Sequence, residues 1–191
     1  MKLIRVEDLR DSVIALRPVY FEGGNSTEIF VDSAEVFLDK RIISSVMRAL
    51  ARSYAMDLTA QRKLLKERLS RKAVLPFYLD EKRVFVPLKM RTGLTPRDSI
   101  YGYLDVLYMD EIIALEKKTC EVKLVNNVVL TVLSSRNTIV QSEHLGREVL
   151  ALLRDGQDDS SDETRIIESV RSVLRTLGDM ARQIARIEEK L

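Results

Sequence analysis

Apolar segments separated by turn residues most strongly constrain the fold of this 191-residue chain. Two strand–turn–strand patterns stand out, and their turns are Gly23-Gly24-Asn25 and Asn126-Asn127. Gly and Asn tolerate the positive φ angles of tight hairpin turns. The flanking strands, rich in Val, Ile and Phe, are expected at residues 13–21, 28–38, 122–125 and 128–132. These patterns predict antiparallel hairpins.

Apolar residues at three- and four-residue spacing predict helices after the first hairpin. Asp39 is the expected N-cap of a helix over residues 41–56. Asp57 or Thr59 is the expected cap of a second helix that ends near residue 70.

Two further strands are expected in the middle of the chain, at 84–88 and 100–109. Pro87 favours an edge position for the first, because proline cannot donate a ladder hydrogen bond. Gly102 inside the second predicts a bulge or a close backbone approach. A helix over 135–154 follows the second hairpin. The sequence therefore predicts an α+β fold, with an antiparallel β-sheet core and packed helices, over residues 1–154.

The end of the chain has a different pattern. Residues 155–160 form an acidic linker, and residues 161–191 predict an amphipathic helix with an unbroken heptad seam. A narrow apolar seam suits a partner helix, so we expect the helix to join two copies of the chain into a homodimer through a coiled coil. The seam residues expected to do so are Val170, Val173, Leu177, Met180, Ile184, Ile187 and Leu191.

Positive charge is concentrated in residues 40–97. Fifteen Lys and Arg there face four acidic residues, a net charge of +11 in a chain whose total is +2. So concentrated a charge predicts an anionic partner, and nucleic acid is the commonest one. A plain solvated helical face is the alternative, but ordinary surface helices mix charges of both signs.

The candidate DNA-contacting residues lie on the two basic helices and on the loop at 89–98. Taken alone, this loop is expected to be a plain surface hairpin. The alternative, which the DNA-binding hypothesis adopts, is a flexible arm that enters a minor groove, where narrow A·T tracts concentrate negative potential. The candidates are Arg48, Arg52, Arg62, Lys63, Lys66, Arg68, Arg71, Lys72, Lys89, Arg91 and Arg97.

Catalytic and metal-binding patterns are weak. With one Cys (Cys120) and one His (His144), the sequence predicts neither a disulfide nor a zinc site. It contains no Gly-rich phosphate loop and nothing that resembles a nucleophile elbow. We therefore expect a non-enzymatic protein without a cofactor. The absence of an 18-residue apolar run predicts a soluble, cytoplasmic protein with no membrane insertion.

The order of these elements resembles the ComK family of competence transcription factors, from residue 14 to about residue 150. The similarity is carried by the opening strands, Ser53-Tyr54-Ala55 in the basic segment, Val84-Phe85-Val86-Pro87, Tyr101-Gly102-Tyr103-Leu104 and the Asn126-Asn127 hairpin. The resemblance implies a bacterial, nucleoid-associated regulator that binds A·T-rich promoter DNA, largely through the minor groove, as a dimer or a pair of dimers. It also implies an adaptor that delivers the protein to a Clp-type protease.

The functional hypothesis from the sequence is thus a ComK-like transcriptional regulator that contacts phosphates and the minor groove of A·T-rich DNA. The main alternative is a non-enzymatic interaction or adaptor protein, whose basic surface binds an acidic protein or an anionic membrane surface. A third and weaker hypothesis is an enzyme that acts on nucleic acid, although no ligand cluster in the sequence favours it.

Overall fold

A computed structural model describes residues 2–69 and 74–155 of the chain. The chain divides into two units, Met1–Leu153 and Arg154–Leu191. The predicted linker and heptad helix, with all seven candidate dimerisation residues, lie outside the described residues. The same holds for Arg71 and Lys72.

The described part contains ten strands and three α-helices. The strands are β1 (Lys2–Leu3), β2 (Val13–Phe21), β3 (Gly24–Val31), β4 (Val36–Asp39), β5 (Phe77–Asp80), β6 (Arg83–Lys89), β7 (Tyr101–Asp105), β8 (Met109–Glu116), β9 (Thr119–Leu124) and β10 (Val129–Val132). The helices are α1 (Ile43–Ser53), α2 (Leu58–Leu69) and α3 (Arg136–Asp155). Short 3₁₀ segments span Val6–Ser12 and Val106–Tyr108.

Seven strands form one sheet in the order β1-β4-β3-β2-β7-β6-β5, and β8, β9 and β10 form a second, three-stranded sheet. Every neighbouring pair is antiparallel except β1 and β4. The predicted α+β class with an antiparallel sheet is therefore confirmed. None of the helices described between residues 2 and 155 is long and apolar enough to cross a membrane.

Alternating side chains give the seven-stranded sheet two apolar faces. In β6, Phe85 points into a core that it shares with Val46 and Leu50 of α1. Its neighbours Val84 and Val86 point into a second core on the other face. The three-stranded sheet and α3 cover that second face through residues such as Val122, Leu130 and Ile139. The sheet thus places α1 on one side of the domain and the smaller sheet on the other.

The N-cap expected for the first helix is wrong. Ile42 occupies the cap position of α1, with no side-chain hydrogen bond to the helix. Asp39 is instead 3% exposed and binds the Arg41 guanidinium and the Val6 amide. Asp57, by contrast, caps α2 as expected: its Oδ1 accepts hydrogen bonds from the amides of Thr59 at 2.7 Å and Ala60 at 3.3 Å.

The edge position expected from Pro87 is also wrong for the strand as a whole, because β6 lies between β7 and β5. The partner on the β5 side is short, however. Its pairing with β6 reaches only from Arg83 to Phe85. Pro87 lies beyond the last β5 partner, so a missing N–H costs this strand little there.

Gly102 occupies a place where two segments of backbone approach closely, as its position in the sequence predicts. A Cβ at Gly102 would lie 2.6 Å from the carbonyl oxygen of Leu16 in β2 and would clash with the Met90 side chain. The strands β2 and β7 therefore depend on the absence of a side chain at this position.

We expect Gly102→Ala to lower the free energy of unfolding by about 1–3 kcal/mol, because the backbone of Leu16 has to move. Urea denaturation measures the change. Gly24→Ala is the matched control, since the nearest atom to its Cβ, the carbonyl oxygen of Phe21, is 3.8 Å away. Equal stabilities of the two variants would contradict the close approach.

Candidate nucleic-acid interface

The helix α1 presents two arginines to solvent because its apolar side is buried against the sheet. Ile43, Val46 and Leu50 pack into the core, and Arg48 and Arg52 lie on the exposed side. The four-residue spacing of these arginines separates them by about 6 Å along the helix axis. Arg48 lines the groove on each side of α1, one shared with Arg52 and the other with Arg62 of α2.

The position of α2 is set by Gln61, which binds the outer edge of β5. The Gln61 amide nitrogen donates to the carbonyl oxygen of Tyr78 at 2.8 Å, and its Oε1 accepts from the Tyr78 amide at 2.9 Å. Leu58 packs in the α1 core and Leu65 in the opposite one, so α2 passes the edge of the sheet from one face to the other.

The cations of α2 divide into two groups around this anchor. Arg62 lines the groove shared with α1, and Lys63 and Lys66 are exposed on the same helix. Arg68 is about 240° around the helix from Arg62, beyond the buried stripe. The structure thus places Arg62 next to α1, leaves Lys63 and Lys66 exposed on α2, and puts Arg68 on the other flank of that helix.

The loop at 90–100 joins the same side of the domain. Arg91 and Arg97 line a small cavity together with Ile42 and Ile43 at the start of α1. Lys89 pairs in register with Tyr101, so strand alternation places its side chain on the α1 side of the sheet.

Most of these cations lack an ionic partner. Within residues 2–69 and 74–154, no carboxylate oxygen lies within 4 Å of the side-chain nitrogens of the residues that we call the α1 cationic face. The α1 cationic face comprises Arg48, Arg52, Arg62, Lys63, Lys66 and Arg97.

Other cations of the basic segment are already paired. Arg41 contacts Glu7 at 2.6 Å and Asp39 at 2.5 Å. The hydrogen bonds from Arg41 lower the pKa of Glu7 to about 2. Arg83 is 3.5 Å from the buried Asp105 and donates to backbone carbonyls near Arg10. These two arginines contribute to the fold rather than to a free positive surface.

The loop at 90–100 is hydrogen-bonded to residues of the β2–β3 hairpin, an arrangement that differs from a free arm. The Arg91 guanidinium stacks 4.1 Å from the centre of the Tyr20 ring and donates to Asn25 Oδ1 at 2.5 Å. Asp98 accepts from the Tyr20 hydroxyl at 2.6 Å and from the Asn25 amide at 3.0 Å. These hydrogen bonds, that from Tyr20 above all, lower the pKa of Asp98 below its usual range. The network links the loop to the β2–β3 hairpin.

The network leaves an apolar tip exposed. Leu94 is 80% exposed, and its amide donates to the Tyr20 hydroxyl at 2.8 Å, so its backbone is fixed. Arg97, which is also exposed, follows three residues later. Sequence reasoning missed Leu94, because a lone Leu in a loop carries no pattern. It also missed Tyr20 and Asn25, which are more than 60 residues from the loop that they hold.

Comparisons of the chain with protein-family models, curated proteins and solved structures returned no match. Function is therefore inferred from the geometry of the α1 cationic face and of the loop beside it.

We expect Tyr20→Phe to loosen this loop and to raise the pKa of Asp98, because the hydroxyl both donates to the carboxylate and accepts from Leu94. Faster trypsin cleavage after Arg97 and an NMR titration of the Asp98 carboxyl carbon measure the two effects. Tyr101→Phe is the control, since its hydroxyl makes no hydrogen bond within the described residues. Cleavage at the wild-type rate would show that the network does not hold the loop.

Proposed function

We propose that the protein is a transcriptional regulator that binds double-stranded DNA through the α1 cationic face, with a preference for A·T-rich sequence. The observation that carries this proposal is a set of six exposed cations on α1, on α2 and on the loop at 90–100, none of them within 4 Å of a carboxylate in the described part of the chain. The resemblance to the ComK family points to the same class of function.

Phosphate contacts supply the affinity in this proposal. Each Lys or Arg that neutralises a phosphate releases condensed counterions, so the binding constant falls steeply with salt. Arg48 and Arg52 on α1 and Arg62, Lys63 and Lys66 on α2 contact the phosphates of one duplex. Such contacts orient the protein but read little sequence.

The loop at 90–100 supplies the preference for A·T-rich sequence. Proteins that bind the minor groove often insert an apolar side chain between base steps while a neighbouring arginine occupies the groove. Leu94 and Arg97 have these two roles in the proposal. A loop held by Tyr20 and Asn25 enters the groove without first losing conformational entropy, which favours binding.

The proposed dimer remains the one expected from the sequence, in which the heptad residues after position 160 join two copies. Two DNA-binding surfaces on one dimer contact two half-sites, which raises the affinity for a duplex that carries both.

We expect the triple variant Arg48→Gln, Arg52→Gln, Arg62→Gln to bind a 24-base-pair A·T-rich duplex with a shallower salt dependence. For about six phosphate contacts the slope of log K against log salt is about −5, and removal of three cations makes it less steep by about three. Fluorescence anisotropy over a salt series measures both slopes.

The matched control removes three positive charges from the opposite side of the domain, with Lys117→Gln, Lys118→Gln and Lys123→Gln on the three-stranded sheet. Its slope is expected to equal that of the wild type. An unchanged slope for the arginine triple variant would exclude the α1 cationic face as the DNA site. Equal competition by polyglutamate or by anionic vesicles would favour an adaptor function instead.

We expect Leu94→Ser to lower the affinity for A·T-rich duplex by about tenfold and to reduce DNA bending, because the variant lacks the apolar wedge. Its salt slope is expected to stay that of the wild type, since no charge is removed. Energy transfer between dyes at the duplex ends measures bending. Val125→Ser, at a residue 61% exposed in another turn, is the control. Unchanged bending and affinity would show that Leu94 stays outside the groove.

A further inference from the structure

A cavity of about 360 Å³ lies between α1, α2 and the start of β5. This volume falls in the usual range for small-molecule sites, about 300–1,000 Å³. Its walls come from α1, from α2, from the segment that leads into β5, and from Tyr103 of β7.

The interior of this cavity is apolar and partly aromatic. Met47 and Leu58 line it from the two helices, and Phe77 and Tyr103 line it from the sheet. The rings of Phe77 and Tyr103 meet edge to face, with 5.3 Å between their centres. A flat or branched hydrocarbon body gains free energy by leaving water for such walls.

The rim of the cavity is cationic. Arg48 and Arg62 lie on its two sides, and neither has a carboxylate within 4 Å in the described part of the chain. Burial raises the pKa of the Tyr103 phenol, and the positive charge of Arg62 opposes this rise. The hydroxyls of Ser44 and Thr59 also line the cavity. Arg48 also donates to the Ser44 carbonyl oxygen at 3.1 Å and to the Ser45 hydroxyl at 3.4 Å, so an anion on Arg48 replaces contacts within its own helix. The guanidinium and hydroxyl groups of the rim favour negative charge.

We propose that this cavity binds a small organic anion, with an apolar or aromatic body between α1 and α2 and a carboxylate or similar group on Arg48 and Arg62. A neutral hydrocarbon makes no use of the two guanidinium groups, and an inorganic anion makes no use of the apolar walls. A duplex is too wide to enter. The inference stands on the cavity alone and does not require that the protein bind DNA.

The amide of Gln61 supports this assignment because it is not available to a ligand. Both of its polar atoms are bound to the backbone of Tyr78. The side-chain groups available to a ligand are therefore guanidinium and hydroxyl groups, because the Gln61 side-chain amide is already hydrogen-bonded to β5. A ligand with an extended hydrogen-bonding edge, such as a nucleobase, finds few partners there.

The test compares two probes that share one body, 1-naphthoate and the neutral 1-naphthalenemethanol. Calorimetry and ¹⁵N-resolved NMR titration of the full chain, without nucleic acid, measure their binding. We expect saturable binding of naphthoate, with a dissociation constant at least tenfold lower than that of the alcohol. We also expect amide shifts concentrated in α1, in α2 and at Tyr103. No saturation by naphthoate in the millimolar range, or equal affinities for the two probes, would overturn the proposal.

Three variants locate the site. Arg62→Gln is expected to weaken naphthoate binding about tenfold and to leave the alcohol unaffected. Arg68→Gln, an exposed arginine on the other flank of α2 that does not line the cavity, is the matched control and is expected to bind as the wild type does.

Ser44→Trp fills the cavity from the exposed side of α1 and is expected to abolish binding of both probes. Thermal unfolding of this variant checks that it folds. Wild-type naphthoate binding by a folded Ser44→Trp variant, or equal losses in Arg62→Gln and Arg68→Gln, would place the anion elsewhere and overturn the assignment.

Discussion

The seven-stranded sheet is apolar on both faces, so each face has to pack against another layer. This requirement determines where the helices and the smaller sheet lie. Along β6, side chains alternate between two cores, with Phe85 facing α1 and Val84 and Val86 facing the smaller sheet. Neither cover is sufficient alone, because an exposed apolar face of this size favours aggregation. The division has a functional consequence. It restricts α1 and the free cations around it to one side of the domain and leaves the other side to the three-stranded sheet.

Only part of the positive charge of residues 40–97 is available on the surface of the fold. Arg41 and Arg83 contribute to the sequence count, yet carboxylates and backbone carbonyls bind them in the fold. Arg91 is also unavailable, because its guanidinium stacks on the Tyr20 ring and holds the loop at 90–100. What remains is a smaller set of exposed cations on α1, on α2 and on the loop at 90–100, with no carboxylate within 4 Å in the described residues. This set is a stronger argument for an anionic partner than the net charge of residues 40–97.

Local signals in the sequence predicted local structure well. The Asn126-Asn127 turn, the Asp57 cap and the close approach at Gly102 each depend on one or two residues, and all three are confirmed. The predictions of local structure failed where hydrogen-bond partners distant in sequence determine the conformation. Asp39 has the residue type of a cap, but Arg41 and the amide of Val6 compete for its carboxylate. The loop at 90–100 has the composition of a flexible arm, but residues in the first hairpin hold it. Such competition between local and distant partners is invisible in a one-dimensional pattern.

The amide of Gln61 completes the β5 edge where another strand would otherwise pair. An open edge is a template on which a foreign backbone can add, and proteins that leave one exposed risk strand-by-strand assembly into fibrils. Here a single side chain occupies both hydrogen-bonding groups of Tyr78. The helix α2, which bears Arg62 and Lys66, therefore also protects this edge of the sheet from pairing with another strand. One twelve-residue element thus both carries unpaired cations and covers an edge of the sheet.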